Sequence, residues 1–211
     1  MAERDESPTQ RAIIVASAAI MGLIAIATAW SGFESTKWSG NMTNTYASAR
    51  VARSESSVLS VTANQEMLLD IQLFIQWINA IADDDSERAD FYFERMRDEA
   101  KPAMEAWLAT EPRTNPDAPP SPFAMPDYAL KTRQESEAKE EEATSLTKRA
   151  LEANQNGDNY VMTTVILASG LFFAGISTRF RWPRLEVAIL VLALAAFAYA
   201  VYQLASYPVL T

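Results

Sequence analysis

The sequence predicts an all-α membrane protein with three transmembrane helices and a helical stalk and cap domain inserted between the first and second spans. Three observations support this fold class. Hydrophobic residues make up 49% of the 211 residues, yet the mean hydropathy is only -0.08, so apolar residues must be concentrated in blocks. Three such blocks occupy residues 12–30, 160–178 and 185–205. The intervening segment, residues 31–159, is acidic and helical in composition.

Each block is about 20 residues long, and at ~1.5 Å per residue it reaches across the ~30 Å hydrocarbon core. Glu186, at the edge of the third block, is the only charged residue in any of them. The alternative for the first block is a cleaved signal peptide. Its flank is acidic and its apolar run is longer than a usual signal core, so we expect an uncleaved anchor.

Arginines near the blocks predict the orientation. The loop of residues 179–184 is very short and contains three arginines, which places it in the cytoplasm by the positive-inside rule. The N-terminal tail, residues 1–11, then also lies inside, while residues 31–159 and the C-terminal tail, residues 206–211, lie outside. We therefore expect a multi-pass protein of the cytoplasmic (inner) membrane with a large extracytoplasmic domain.

Composition excludes several classes of function. The chain has no cysteine and no histidine, which removes disulfides, thiolate and imidazole metal sites and Ser-His-Asp triads. Residues 31–159 carry 13 Lys/Arg and 23 Asp/Glu. This acidic balance repels nucleic acid, so we expect no nucleic-acid partner. We also expect neither an enzyme nor a bound cofactor.

From Trp30 to about residue 81 the sequence has no proline, so the first membrane helix is free to continue beyond the interface. A seven-residue pattern follows, with small or apolar residues in one row and several amides in the other. The first row is Asn44, Val51, Val58, Gln65, Gln72 and Asn79, and the second is Ala47, Ser54, Val61, Leu68, Ile75 and Ala82. One interpretation of the amides Asn44, Gln65, Gln72 and Asn79 is a polar seam that lines water or sets the register of an oligomer; the other is that they face solvent or a neighbouring helix.

Residues 83–87 (DDDSE) are expected to end this helix and to cap the next one. A cation site is the alternative interpretation of the three aspartates. The next helix is predicted over about residues 86–110, bent or divided by Pro102. Residues 111–127 contain six of the ten prolines and predict an extended strap lying on the helical domain, or alternatively a recognition loop for a protein partner. A charged helix then leads into the second span.

At the outer membrane surface, residues 30–40 are expected to lie level with residues 154–162. Small residues four apart form a ridge on which another backbone can approach closely, and Gly157 offers a facing surface. This ridge comprises Thr28, Gly32, Thr36 and Gly40. Trp30 and Tyr160 should anchor the outer interface and Trp182 the inner one, whereas Trp38 should pack on protein. Glu34 and Asp158 are weak candidates for a cation site; turn and interface chemistry is the alternative.

Four short segments resemble an uncharacterised family of bacterial three-span membrane proteins with a helical domain between spans one and two. They are residues 29–33 (AWSGF), 123–128 (FAMPDY), 159–165 (NYVMTTV) and 171–176 (LFFAGI). The resemblance covers most of the chain and implies a bacterial membrane location and no activity.

Together these observations favour a non-enzymatic membrane protein that acts as a homo-oligomeric scaffold or binds a protein partner through its extracytoplasmic domain. A subunit of an oligomeric cation channel with an acidic vestibule is the alternative. No charged residue lies at the centre of any span, which argues against a proton relay or voltage sensor within one subunit.

Overall fold

The structure, a computed structural model, describes residues 8–177, 179–180 and 182–210. Every regular element in this part of the chain is helical. The elements are α1 (Pro8–Ala82), α2 (Ser86–Glu94), α3 (Lys101–Leu108), a 3₁₀ turn (Pro122–Ala124), α4 (Lys131–Ser177) and α5 (Pro183–Ser206). The predicted all-α class is confirmed for these residues, and α1, α4 and α5 are long and apolar enough to cross a membrane.

Parts of the predicted segments lie outside the described residues. These are residues 1–7 of the N-terminal tail, Thr178 at the end of the second apolar block, Arg181 in the three-arginine loop and Thr211 of the C-terminal tail. The helix α1 begins inside the predicted tail.

Helix α1 continues without a break from the first apolar block to Ala82, as the absence of proline allows. It ends in the aspartate run. Asp84 adopts a left-handed conformation with φ 57°. The side chain of Asp85 accepts a hydrogen bond from the Arg88 backbone N–H at 3.0 Å and so caps α2. The aspartates therefore mark a helix boundary, as the capping interpretation predicts.

The contacts divide the chain into two compact units: Met1–Ala47 with Leu146–Thr211 (unit 1), and Ser48–Ser145 (unit 2). In unit 1, Ile24 of α1, Leu167 of α4 and Ala200 of α5 form a buried apolar cluster. Near one end of these helices the hydroxyls of Ser17 and Ser177 lie 3.1 Å apart and share a hydrogen bond. These contacts hold α1, α4 and α5 together with few large side chains.

In unit 2, α1 and α4 pack through small residues. The Ser136 hydroxyl donates to the Ser56 carbonyl, and the Ser56 hydroxyl donates to the Ser136 carbonyl, each at 2.9 Å. Buried positions of α1 on this side lie seven apart at Ser56, Ala63 and Asp70. Small side chains let the two backbones approach, so these hydroxyls can bond directly to carbonyls of the partner helix. Exposed ion pairs flank the contact, among them Lys139 with Glu55 at 2.9 Å.

The predicted helix over residues 86–110 is divided into α2 and α3. The break lies upstream of Pro102, and Pro102 itself occupies the first turn of α3. Backbone N–H groups in a first turn have no intrahelical acceptor, so proline is tolerated there. Buried side chains of these segments, Met96, Met104 and Trp107, form an apolar cluster with Phe74 of α1. This cluster is the core of unit 2.

The proline-rich strap lies on that cluster. Its Pro119 carbonyl accepts a hydrogen bond from the Trp107 indole at 2.7 Å. The Phe123 ring makes edge contacts with Phe74 and with Tyr128, with centroids 5.6 and 5.1 Å apart. Aromatic edge contacts of this kind stabilise the strap without any regular backbone pairing.

A buried ion pair closes the core. The Asp70 carboxylate accepts two hydrogen bonds from the Arg97 guanidinium, both 3.0 Å long, and one from the Tyr128 hydroxyl at 2.8 Å. Arg97 also pairs with Glu66 at 3.3 Å. The hydrogen bond to Asp70 raises the pKa of Arg97. Burial, and then the bond to Asp70, raise the pKa of Tyr128. The group ties α1 to the segment between α2 and α3 and to the strap.

Candidate functional site

The most unusual polar group in unit 1 is the carboxyl group of Glu34. It lies on α1 one turn beyond Ser31, which is also buried and donates a hydrogen bond to the Tyr160 carbonyl of α4 at 2.7 Å. Glu34 is 0% exposed. Its Oε2 accepts a hydrogen bond from the Leu210 backbone N–H at 3.1 Å. Its Oε1 is buried and has no hydrogen-bond partner among the described residues.

The segment that covers Glu34 is the C-terminal tail, residues 207–210. Helix α5 ends before Pro208, and Tyr207 is extended, as expected for a residue that precedes proline. The Pro208 carbonyl accepts hydrogen bonds from the Trp38 indole and the Tyr160 hydroxyl, both at 3.2 Å. The Lys37 ammonium donates to the Leu210 carbonyl. The tail is thereby fastened along one turn of α1 and to α4.

The predicted aromatic anchors separate into two kinds. Trp30 and Trp182 are exposed, as lipid-facing anchors must be. Tyr160 is instead fully buried, and its ring packs edge-on against Tyr207 at 5.5 Å between centroids. Its hydroxyl donates a hydrogen bond to the Pro208 carbonyl of the tail. Trp38 packs on protein through the same tail.

The small-residue ridge does not meet Gly157. A Cβ added at Gly32 or Gly40 would touch nothing within 4 Å, whereas one at Gly157 would lie 3.6 Å from the Trp38 Cβ and 3.7 Å from the Ser35 carbonyl. Helix α4 therefore approaches α1 on a neighbouring face, where Ser31 donates to the Tyr160 carbonyl and Gly157 lies against Ser35 and Trp38. The hydroxyls of Thr28 and Thr36 donate hydrogen bonds to carbonyls of their own helix, those of Ile24 and Gly32.

The two carboxyl groups proposed for a cation site have different surroundings. Asp158 is exposed and accepts a hydrogen bond from the Asn154 amide at 3.1 Å. Glu34 is buried under the tail. No group of three or more acidic side chains that could hold a metal ion occurs in the described residues. The structure thus leaves Glu34 as the carboxyl group with an unusual environment.

The heptad pattern of α1 is exposed rather than packed against α4. We call the positions of this pattern within unit 2 the outer face of α1; all are exposed in the single chain. They are Val51, Ser54, Val58, Val61, Gln65, Leu68, Gln72, Ile75, Asn79 and Ala82. Asn44, the first amide of the row, is exposed as well but lies in unit 1. Large aliphatic side chains alternate with amides on this face, and neither is covered by another part of unit 2.

At its end the outer face runs into an apolar pocket of about 370 Å³. Ile78 and Ala82 contribute to the pocket from α1, and the rings of Trp77 and Trp107 form its base with Leu108. Glu111 and Arg113 lie at its polar side. Ala82 belongs to both the outer face and the lining of the pocket.

Comparison of the chain with family models, with curated proteins and with solved structures finds no match.

Two parts of the site were missed in the sequence: the tail and Ser31. The only local signal for the tail is the Tyr207–Pro208 step, which ends α5 and turns the chain at the interface. Ser31 lies seven residues beyond Ile24 and fourteen beyond Ser17, all three of which are buried. This spacing identifies the inner face of α1, but two of its members are serines and the third, Ile24, does not stand out in an apolar block.

Proposed function

We propose that this protein is a non-enzymatic, multi-pass membrane protein that assembles with copies of itself through the outer face of α1. The single observation that carries the proposal is the exposure of every heptad position from Val51 to Ala82. A row of exposed large aliphatic side chains with interspersed amides and no charge favours an interaction site over an ordinary solvated helix face.

Charge supports a second copy as the partner. Residues 56–82 of α1 contain only two charged side chains, Glu66 and Asp70, and both are bound to Arg97 on the inner side of the helix. The outer face is thus uncharged over this length, although unit 2 belongs to an acidic segment. Two identical acidic domains can approach through such a face with less mutual repulsion than through any charged one.

The pattern itself also favours self-association. Apolar residues at a seven-residue repeat form a seam that matches the same seam on a parallel neighbour. Gln65, Gln72 and Asn79 would then face their own counterparts, where amide pairs set register and oligomer number at some expense of stability. The arrangement supports an anchored scaffold whose three membrane-crossing helices hold the copies parallel.

The decisive test is the oligomeric state of the full-length protein in mild detergent or nanodiscs. We expect Leu68→Glu to reduce an oligomer to monomers, because it places a charge in the centre of the apolar seam. Leu151→Glu is the matched control, since Leu151 on α4 has the same side chain and nearly equal exposure, 55% against 58%. Native mass measurement gives the mass of the assembly that each variant forms. An L68E protein whose assembly has the same number of copies as the wild type would refute the proposed face.

Disulfide crosslinking gives an independent readout, because the chain has no cysteine of its own. A Gln72→Cys protein should crosslink under mild oxidation, since equivalent positions of a parallel seam lie within disulfide reach. Arg133→Cys on α4 should not crosslink.

Orientation is part of the proposal. We place unit 2 on the extracytoplasmic side of a bacterial cytoplasmic membrane, on the strength of the three-arginine loop and of the family resemblance. A cysteine replacing the exposed Asp117 in the strap should react with an impermeant maleimide in intact cells. Reaction only after the cytoplasmic side is opened would reverse the orientation and leave the assembly proposal intact.

The exposed amide row favours a second candidate, a subunit of an oligomeric cation channel. With three or more copies, Gln65, Gln72 and Asn79 could line a polar axis. The same mass measurement bears on it, because a dimer leaves no axial path between the helices. For a larger oligomer, cation flux in liposomes decides, and the absence of flux from a verified oligomer eliminates the channel.

A further inference from the structure

We propose that Glu34 binds a small monovalent cation of the Na⁺ class beneath the C-terminal tail. This inference does not depend on self-assembly, because every residue it uses belongs to unit 1 of a single chain.

The first step is the environment of the carboxyl group. Glu34 is completely buried, and only its Oε2 has a hydrogen-bond partner, the Leu210 N–H. Its Oε1 is buried without a partner in the described part of the chain. A buried carboxylate oxygen without a donor or counter-charge is unfavourable, so such an oxygen indicates a ligand that supplies one or the other.

The second step concerns the positive charge nearest in sequence. Lys37 lies one turn further along α1 and directs its ammonium to the Leu210 carbonyl. No ion pair within 4.0 Å joins it to Glu34 among the described residues. The lysine therefore holds the tail in place and does not form an ion pair with Glu34. Another cation can then neutralise the Glu34 carboxylate.

The third step selects the class of cation. A single carboxylate is neutralised by one positive charge, whereas a divalent ion would leave an excess charge in a buried place. The group available for a ligand is a carboxylate oxygen, a hard donor, and the chain contains neither histidine nor cysteine to add imidazole or thiolate. Hard monovalent ions match this chemistry.

The site couples a cation to the tail. The Glu34 carboxylate that would bind the ion also accepts the Leu210 N–H, so a bound ion favours the closed position of residues 207–210. Loss of the ion leaves a buried charge that is relieved when the tail opens and water enters. Occupancy should therefore change both the stability of unit 1 and the accessibility of the tail.

The test compares NaCl with choline chloride at constant ionic strength and pH, using the full chain in nanodiscs. We expect Na⁺ to raise the midpoint of thermal unfolding by about 3 °C in a saturable manner, as for any ligand that binds the folded state. Thiol labelling of a Leu210→Cys protein, whose side chain is partly buried when the tail is closed, should be about fivefold slower in Na⁺.

Both responses should vanish in Glu34→Gln, which preserves shape and removes the charge. Asp158→Asn is the matched control, because Asp158 is an exposed carboxylate in the same unit, and it should keep the wild-type response. If Glu34→Gln does not fold, Glu34→Asp serves instead and should require a higher Na⁺ concentration for half the effect. A wild-type protein that responds identically to Na⁺ and choline, or an E34Q protein that keeps the Na⁺ response, overturns the proposal.

Discussion

Replacing Asp70 with asparagine should lower the stability of unit 2 by about 3 kcal/mol. The substitution keeps the shape of the side chain but removes the charge that holds Arg97 in a two-pronged hydrogen bond. Breaking a buried ion pair from one side leaves its partner without compensation, which costs about 3–5 kcal/mol. We take the lower end because the Arg97 side chain is 24% exposed and retains its contact with Glu66.

Hydrogen–deuterium exchange of the intact protein measures this effect locally. Amides in α2, α3 and the strap should exchange about 100-fold faster in D70N, because opening of unit 2 becomes easier by about 3 kcal/mol. Amides near Leu167 in unit 1 should change little and provide an internal reference.

Asp98→Asn is the control for charge removal by itself. Asp98 pairs with Lys101 at 3.3 Å, but its side chain is 97% exposed, and exposed pairs of this kind contribute little. Its loss should leave exchange in α3 nearly unchanged. Equal effects of the two substitutions would show that the buried pair does not stabilise the unit.

The course of α1 shows how much of this fold the sequence reveals. Its continuation beyond Trp30 and its end at the aspartates depend on local chemistry, namely the absence of proline and the capping preference of Asp85. The strap position could be anticipated because its aromatic residues need an apolar surface. These features follow from short-range preferences, which a single sequence contains.

The helix contacts were harder to predict because α1 carries two seven-residue patterns. Large apolar residues define the outer face, and they gave the clear signal. The contact with α4 instead uses small positions such as Ser56 and Ala63, whose value lies in the close approach of two backbones. Small residues contribute little to a hydrophobic pattern. The pattern of the contact between α1 and α4 is therefore weaker in the sequence than the pattern of the exposed outer face.

The Glu34 site could be anticipated only in part. Its residue type and its place just after the first apolar block made it a candidate, but its burial depends on Leu210, which lies 176 residues away in the sequence. No periodicity connects a four-residue tail to a distant helix turn. For the same reason the hydrogen bond from the Tyr160 hydroxyl to the Pro208 carbonyl could not be anticipated.

Among the three helices that are long and apolar enough to cross a membrane, Gly170→Leu is the substitution with the largest expected effect. Gly170 lies where α1, α4 and α5 meet. A Cβ there would be 3.4 Å from the Ile24 Cδ1, 3.5 Å from the Ala193 carbonyl and 3.5 Å from the Ala196 Cβ. These are ordinary contact distances for one methyl group, so the remaining carbons of leucine would have to displace α5 or distort the side chain of Ile24. Overpacking of this kind costs about 3 kcal/mol.

Two controls separate this effect from a general change in helix propensity. Gly170→Ala should be neutral or slightly stabilising, because alanine fits the contact and favours the helix by about 1 kcal/mol over glycine. Gly22→Leu should also be tolerated, since a Cβ at Gly22 meets nothing within 4 Å. Thermal unfolding of the detergent-solubilised protein should show a loss of about 6 °C or more for G170L alone. A G170L protein as stable as G22L would mean that α5 does not pack against α1 and α4 at this glycine.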